Sequence, residues 1–413
     1  MSEFTYRCSR CGAEFAADEV TYTCPKCGGN LDVILDYEAL KPKAEALFAA
    51  PPNEASLWRY LPLLPVGDPH GEGTPLRRAG WTPVYTLPAI RKSISMPNFW
   101  LKDESPNPTA SFKDRASAIV VARAREIGAE VVITASTGNA GAALAGMAAA
   151  VGQKAVILAP KSAPQAKIAQ LLVFGARVVL VDGTYDDAFD MTIAAAEKYG
   201  WYCRNTGYNP FTAEGKKTAA FEIYEQVIRP NGLTKLNVFI PVGDGNIISG
   251  VYKGFWDLQQ LGLIESLPRL FGVQAVGSAA IANAWKSGTD DIEPVSANTL
   301  ADSISVDLPR DGFRALRAVR NTGGAYITVP DEEILKAIAD LGRTGVFAEP
   351  AAATAFAGLK SALKDGLISP DEPTLVLSTG SGLKDVAAAM KAVHAAPVVP
   401  PDVEKLAKVL GEG

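Results

Sequence analysis

The chain has 413 residues, 48% hydrophobic and 21% charged, with 40 Lys and Arg against 45 Asp and Glu and a net charge of −5. That length exceeds one ordinary core and predicts two or three domains or subdomains, while the acidic balance argues against nucleic acid or an anionic membrane as partner. No apolar run nears the roughly 20 residues that span a bilayer, and the opening MSEFTYRCSR carries no apolar leader, so the cytoplasm is the expected location. His70 and His394 are the only histidines. Histidine triads and His-ligated catalytic zinc are thereby poor candidates, and acid–base chemistry is expected from lysines, carboxylates or a cofactor.

In chain order, the first element is a cysteine cluster. Cys8 and Cys11 form one C-x2-C pair and Cys24 and Cys27 a second, each followed closely by glycine in CSRCGAEF and CPKCGGNL. Tight glycine turns can aim two thiolates at one ion, and four thiolates suit a closed, tetrahedral structural zinc site. The alternative is a pair of disulfides, which a cytosolic compartment disfavours. So small an element has no core of its own, so the metal must supply its folding energy. Zinc ribbons also bind nucleic acid, but Arg7, Arg10 and Lys26 are few and stand among Glu14, Asp18 and Glu19. The ribbon is expected to cover residues 1–38 and a catalytic body residues 39–413. The lone Cys203 reads as a buried core thiol.

Residues 51–75 are rich in Pro and Gly and predict an extended arm. Beyond residue 100, β-branched runs alternate with helical patterns. Strands are expected at 130–136, 154–160, 176–183, 236–243, 269–277 and 373–380. The pattern predicts an α/β architecture of two three-layer subdomains with mainly parallel sheets, preceded by the small ribbon. The smaller subdomain is expected at roughly 126–224. In such folds ligands bind at the carboxyl ends of strands.

Four motifs fall at such ends. LKDESPNPTASFKDRAS (101–117) puts Lys113 in the first turn of a helix that Ser111 is expected to cap. The positive helix end lowers an amine's pKa, which suits a Schiff-base lysine; a solvated lysine beside Asp114 is the alternative. ASTGNAG (135–141) offers Ser136, Thr137 and Asn139 with free N–H groups for an anion such as a carboxylate, or else a simple N-cap. PVGDGNIISG (241–250) can wrap a phosphate with the N–H groups of Gly243 through Ile247, provided that the Asp244 charge points away. LSTGSGLKD (377–385) presents Thr379 for one hydrogen bond, or forms a capped turn.

Over about residues 57–395 these motifs, in this order, resemble the tryptophan-synthase-β-like, fold type II, pyridoxal-phosphate (PLP) enzymes. LWRYLPLLPV (57–66), GEGTPL (71–76), NPTASFKDR (107–115), STGNAG (136–141) and LSTGSGLKD (377–385) look most like members that make L-threonine and phosphate from O-phospho-L-homoserine and water. The resemblance implies that Lys113 carries PLP as a Schiff base and that Asn139 bonds the 3′-oxygen. It also implies that Gly243, Asp244, Gly245, Asn246 and Ile247 cradle the cofactor phosphate and that Thr379 bonds the pyridine nitrogen. Ser136 and Thr137 would hold the substrate carboxylate, Phe112 would pack near the ring, and Glu349 would cap the following helix or approach the cofactor. It further implies a small amino-acid phosphate as substrate and a homodimer.

The chain departs from that pattern twice. Thr212, in YNPFTAEGKKT, stands where an Arg is expected to help hold the substrate phosphate, so Lys216, with Lys217 beside it, is expected to replace it. The phosphate loop reads GDGNI where an Asn-rich form is usual. Cysteate synthase and threonine or serine dehydratase activities are the alternatives within the same fold; a non-catalytic zinc-ribbon binding protein is the alternative outside it.

Overall fold

The computed structural model describes residues 4–163 and 165–411. Its first sheet is antiparallel, in the order β2-β1-β3, from β1 (Phe4–Cys8), β2 (Glu14–Ala16) and β3 (Leu31–Leu35). Gly12 and Gly28 adopt φ of +72° and +69°. Their N–H groups close tight turns onto the carbonyls of Cys8 and Cys24 at 3.0 and 2.8 Å. These turns bring the thiols of Cys8, Cys11, Cys24 and Cys27 within 4.8 Å of one another. Asp36 then caps a helix over Tyr37–Ala49.

The segment expected to be an extended arm is instead partly coiled. Ser56 caps a 3-10 turn over Leu57–Leu63. Leu57, Trp58, Tyr60 and Leu63 are all buried, and the gain from burying these side chains outweighs the extended preference of the flanking prolines.

The main body holds ten strands among the described residues. They are β4 (Val84–Tyr85), β5 (Phe99–Asp103), β6 (Val131–Ala135), β7 (Lys154–Pro160), β8 (Arg177–Val181), β9 (Tyr202–Cys203), β10 (Asn237–Pro241), β11 (Arg269–Ala275), β12 (Ala325–Val329) and β13 (Thr374–Ser378). The larger sheet runs β12-β11-β10-β13-β5-β4 and the smaller one β8-β7-β6-β9. Every neighbouring pair is parallel except β4 with β5. All six strands expected from the apolar runs are present. β5, β6, β10 and β13 are buried at every position, as parallel strands covered on both faces must be. No helix among the described residues is long and apolar enough to cross a membrane.

Between the sheets lies a fully buried ionic cluster. Arg115 donates to both oxygens of Glu104, at 2.8 and 2.9 Å, and pairs with Glu222. Lys102 reaches Glu222 at 2.7 Å. The Glu222 carboxylate also accepts the N–H groups of Trp81 and Thr82, at 2.7 and 3.1 Å. Burial alone would push the Glu222 carboxyl up, but Arg115 and Lys102 prevail and hold it at about 2. Removing Glu222 would leave the buried Lys102 without a carboxylate and strip Arg115 of one of its two, so Glu222→Ala is expected to lower stability by about 3–5 kcal/mol. A denaturant midpoint measured at neutral pH checks this. Because the folded pKa is depressed, the wild-type advantage is present above the ordinary carboxyl pKa of about 4.3 and shrinks as the pH falls from there towards 2. An advantage independent of pH over that range would contradict the assignment.

Candidate active site

Three loop segments meet at the carboxyl end of β13. The Phe112 N–H donates to the Thr379 carbonyl at 2.9 Å, and the Ser381 N–H to the Ala110 carbonyl at 3.1 Å. The Glu349 N–H donates to the Gly380 carbonyl at 3.0 Å. These backbone bonds put Lys113, Thr379 and Glu349 on one cavity of about 460 Å³, at the carboxyl ends of β6, β7, β10 and β13. The helix Lys113–Glu126 begins at Lys113 itself, with Phe112 at the N-cap and no side-chain cap. The expected Ser111 cap is therefore absent; its hydroxyl is buried without a partner, because the bridge to Gly380 turns the residue away from the helix end. Asp114 does not pair with Lys113. It is buried and accepts from the backbone and hydroxyl of Thr109.

Two helix starts face the same cavity. Gly245 has φ +92°, and a Cβ there would lie 2.7 Å from the Asp311 carbonyl oxygen, so only glycine fits this turn. The N–H groups of Gly243, Asp244, Gly245, Asn246 and Ile247 have no acceptor among the described residues, and the helix Asn246–Gln260 begins at once. Asp244 does not spoil this anion seat. Its carboxylate accepts the Arg310 N–H at 2.8 Å, and burial raises its pKa. Opposite, the N–H groups of Thr137, Asn139 and Ala140 are free at the start of the helix Asn139–Ala150. Gly141 permits that turn, since a Cβ would lie 2.4 Å from the Ser136 carbonyl oxygen. Ser136, Thr137 and Asn139 all line the cavity.

The electrostatics single out Lys113. Burial lowers its amine to about 8, helped by the nearby Arg204 charge and opposed by Glu349 and Asp244. Glu349 was expected mainly as a helix cap. It sits at the N-cap of Pro350–Lys364 without capping it. Its carboxylate instead faces the cavity and accepts the Asn139 amide, 3.0 Å to each oxygen. The only hint in the sequence is an acid placed just before a Pro-initiated, Ala-rich helix.

Lys216, expected at the substrate phosphate, is not brought to the cavity wall. The helix Phe211–Ile223 is buried on every side. Its Lys216 side-chain amine donates to Asn246 beneath the glycine loop, and Lys217 pairs with Glu214 and Asp257. Thr212 is likewise buried, donating to the Asn209 carbonyl at 2.7 Å. The residue that sequence reasoning missed is Arg204, immediately after β9. It is fully buried and, among the described residues, touches no carboxylate and leaves one terminal nitrogen unpartnered. Burial lowers its pKa to about 10. Its other terminal nitrogen donates at 2.5 Å to Thr206, which lines the cavity.

This donor set fits pyridoxal phosphate. A neutralisable amine lies between a five-membered nest of free N–H groups and the Thr379 hydroxyl, which has no partner among the described residues. The four amino-terminal thiols likewise fit an ion. The Cys8–Cys27 and Cys11–Cys24 sulfurs are 3.5 and 3.7 Å apart, too far for a disulfide at about 2.05 Å. They are close to the roughly 3.8 Å edge of a tetrahedron with 2.3 Å bonds.

Comparison with known proteins agrees with the geometry. Residues 76–380 match the family model described as pyridoxal-phosphate dependent enzyme, and the chain belongs to that family. Its relatives include the threonine synthase of Methanocaldococcus jannaschii, 39% identical over 98% of this chain and 99% of that one. The threonine synthase of Methanosarcina acetivorans is 39% identical over 92% of each chain. That of Mycobacterium tuberculosis is 35% identical over 85% of this chain and 94% of its own. A processed threonine deaminase from Solanum lycopersicum has the same fold, with a TM-score of 0.64 at 23% identity, over 83% of this chain and 95% of its own.

Only the neutral amine of Lys113 can attack a carbonyl. The rate at which cofactor-free protein takes up pyridoxal phosphate should therefore rise with pH and level off above about 8. Borohydride reduction and peptide mapping should place the cofactor on Lys113. A flat pH profile, or a label on another lysine, would contradict the assignment.

Proposed function

We propose that this chain is a threonine synthase that converts O-phospho-L-homoserine and water to L-threonine and phosphate. The observation that carries the proposal is one half-buried amine of lowered pKa flanked by two N–H seats with no acceptor among the described residues, and a guanidinium without a carboxylate behind the wall. Three anionic groups, one from the cofactor and two from the substrate, are thereby provided for. Bound at this site, pyridoxal phosphate supplies an electron sink for charge at the substrate α-carbon.

In this reading Lys113 anchors the cofactor and Asn139 holds its 3′-oxygen. Gly243, Asp244, Gly245, Asn246 and Ile247 receive its phosphate, and Thr379 bonds the pyridine nitrogen. Ser136 and Thr137, with the N–H groups beside them, hold the substrate carboxylate. The Lys113 amine takes the Cα and Cβ protons, and the Cβ–H electron pair forms a Cβ–Cγ double bond and expels phosphate from Cγ. Cγ is then protonated so that the double bond moves to Cα–Cβ, and water adds at Cβ as a proton returns to Cα. Arg204, acting with Thr206, takes the role at the substrate phosphate that the sequence suggested for Lys216, where a water-shielded cation stabilises the leaving oxyanion. Lys216 acts through Asn246 on the cofactor's own phosphate loop.

Residues 1–38 are proposed as a zinc ribbon whose single ion, held by Cys8, Cys11, Cys24 and Cys27, is structural. Residues 39–413 form the catalytic body, with a smaller subdomain at roughly 126–224. The active form is proposed to be a cytoplasmic homodimer with no nucleic-acid partner, a reading supported by the family resemblance and the acidic composition.

The decisive assay follows phosphate and L-threonine released from O-phospho-L-homoserine. No release, together with deamination of threonine or serine, would replace the synthase by a dehydratase. Arg204→Met should raise KM for the phosphorylated substrate by tens of fold, as expected for losing a charged hydrogen bond of about 1.5–3 kcal/mol. It should leave the absorbance of the bound cofactor in place. An unchanged KM would remove Arg204 from the substrate site.

A further inference from the structure

The amino-terminal ribbon touches the cavity's own walls through one side chain. Asn30 follows the second thiol turn, and its side-chain amide donates to two backbone carbonyls, those of Gly207 and, at 3.2 Å, Arg310. Gly207 follows Thr206 on the side of the smaller sheet. Arg310 lines the cavity on the side of the larger sheet, and its N–H holds Asp244 in the glycine loop.

The two segments meet backbone to backbone. Gly207 has φ +78°, and a Cβ there would lie 2.9 Å from the Arg310 carbonyl oxygen. Two carbonyl oxygens brought side by side repel unless a donor is shared between them, and an Asn amide has two N–H groups for that task. Asn30 is the donor the structure records for both.

Asn30 is itself fixed by the ribbon. Its carbonyl accepts the Ser9 N–H at 2.9 Å, and it bridges to Thr23. The preceding Gly29 packs so tightly that a Cβ would lie 2.9 Å from the Cys8 sulfur and 3.3 Å from that of Cys27. The thiol cluster thus sets where Asn30 stands. A separate line of contacts supports the cofactor loop. The Leu31 carbonyl and Asp32 hold Arg314, Arg314 holds Asp311, and Asp311 accepts the Asn246 amide at 2.6 Å.

We propose that Asn30 is a positioning residue for the active site, locking the seam between Gly207 and Arg310 and so the separation of the two cavity walls. The ribbon then tunes substrate affinity without touching substrate. The kinetic part of this inference rests on the threonine synthase reading; the structural part does not.

The test uses full-length, cofactor-loaded protein carrying Asn30→Ala or Asn30→Asp. Loss of the shared donor lets the walls separate, so the binding-competent state is less populated and KM rises while kcat changes little. KM for O-phospho-L-homoserine should rise about tenfold in Asn30→Ala, the equivalent of about one to two lost hydrogen bonds. It should rise further in Asn30→Asp, where a nearly isosteric carboxylate faces two carbonyls. That order, with the closer mimic worse, is not expected from lost packing. Amide hydrogen exchange should quicken within 205–210 and 307–312 in both variants, while metal content and cofactor absorbance match the wild type. Wild-type exchange in both segments would overturn the proposal whether or not the enzyme turns over this substrate. So would a KM rise in Asn30→Ala that Asn30→Asp fully rescues.

Discussion

The guanidinium of Arg115 is held between two buried carboxylates, Glu104 from the end of β5 and Glu222 from the helix Phe211–Ile223. Arg115 stands two residues beyond Lys113, so this clamp fixes the first turn of the helix that presents the active-site amine. Glu222 also takes Lys102 and the N–H groups of Trp81 and Thr82, while Glu104 accepts the Thr82 hydroxyl and the Asn107 amide. The segment just before β4, the larger sheet and the helix Phe211–Ile223 are therefore referenced to one point. A buried ion pair adds little net stability over an apolar core, but its geometry is exacting and a displaced partner is costly. Those properties suit a constraint on position.

The same low dielectric that makes the clamp rigid gives the site its chemistry. Lys113 is half-buried with no carboxylate bonded to it among the described residues, and desolvation lowers its amine to about 8. Arg204 is buried among hydroxyls and thereby keeps an unspent positive charge. Cations differing only in their partners thus divide the work. Those with carboxylates hold the structure, as Arg115 and Lys217 do. Lys113 and Arg204, at and behind the cavity wall, have no carboxylate bonded to them among the described residues and are left for ligands, whereas Lys216, also without one, is held by Asn246.

The ribbon joins this scheme from outside the core. Asp32 on β3 binds Arg314 and Arg317, and Arg314 leads through Asp311 to Asn246, the first residue of the helix that follows the glycine loop. An element too small to bury a core of its own is thus wired by charged contacts to a turn where Gly245 has no room for a Cβ. That placement explains how a peripheral thiol cluster can bear on the active site.

Much of this was legible in the residues. The strands followed from runs of apolar, β-branched side chains, because a parallel strand buried on both faces must be apolar throughout. Lys113, the open N–H groups of Thr137, Asn139 and Ala140 and of 243–247, and Thr379 followed from local order, since glycine turns and helix starts are set by a few neighbouring residues. The paired cysteines fixed the ribbon in the same way. What only the tertiary structure decided was the fate of charges whose partners are distant in the chain. Lys216 lies on a helix buried on every side and reaches Asn246, thirty positions on. Glu349 meets Asn139 across 210 positions, and Asn30 meets Arg310 across 280. A sequence prescribes what a side chain can donate, accept or carry. Which group lies opposite it depends on how the two sheets pack, and burial then decides whether a charge is spent on structure or kept for chemistry.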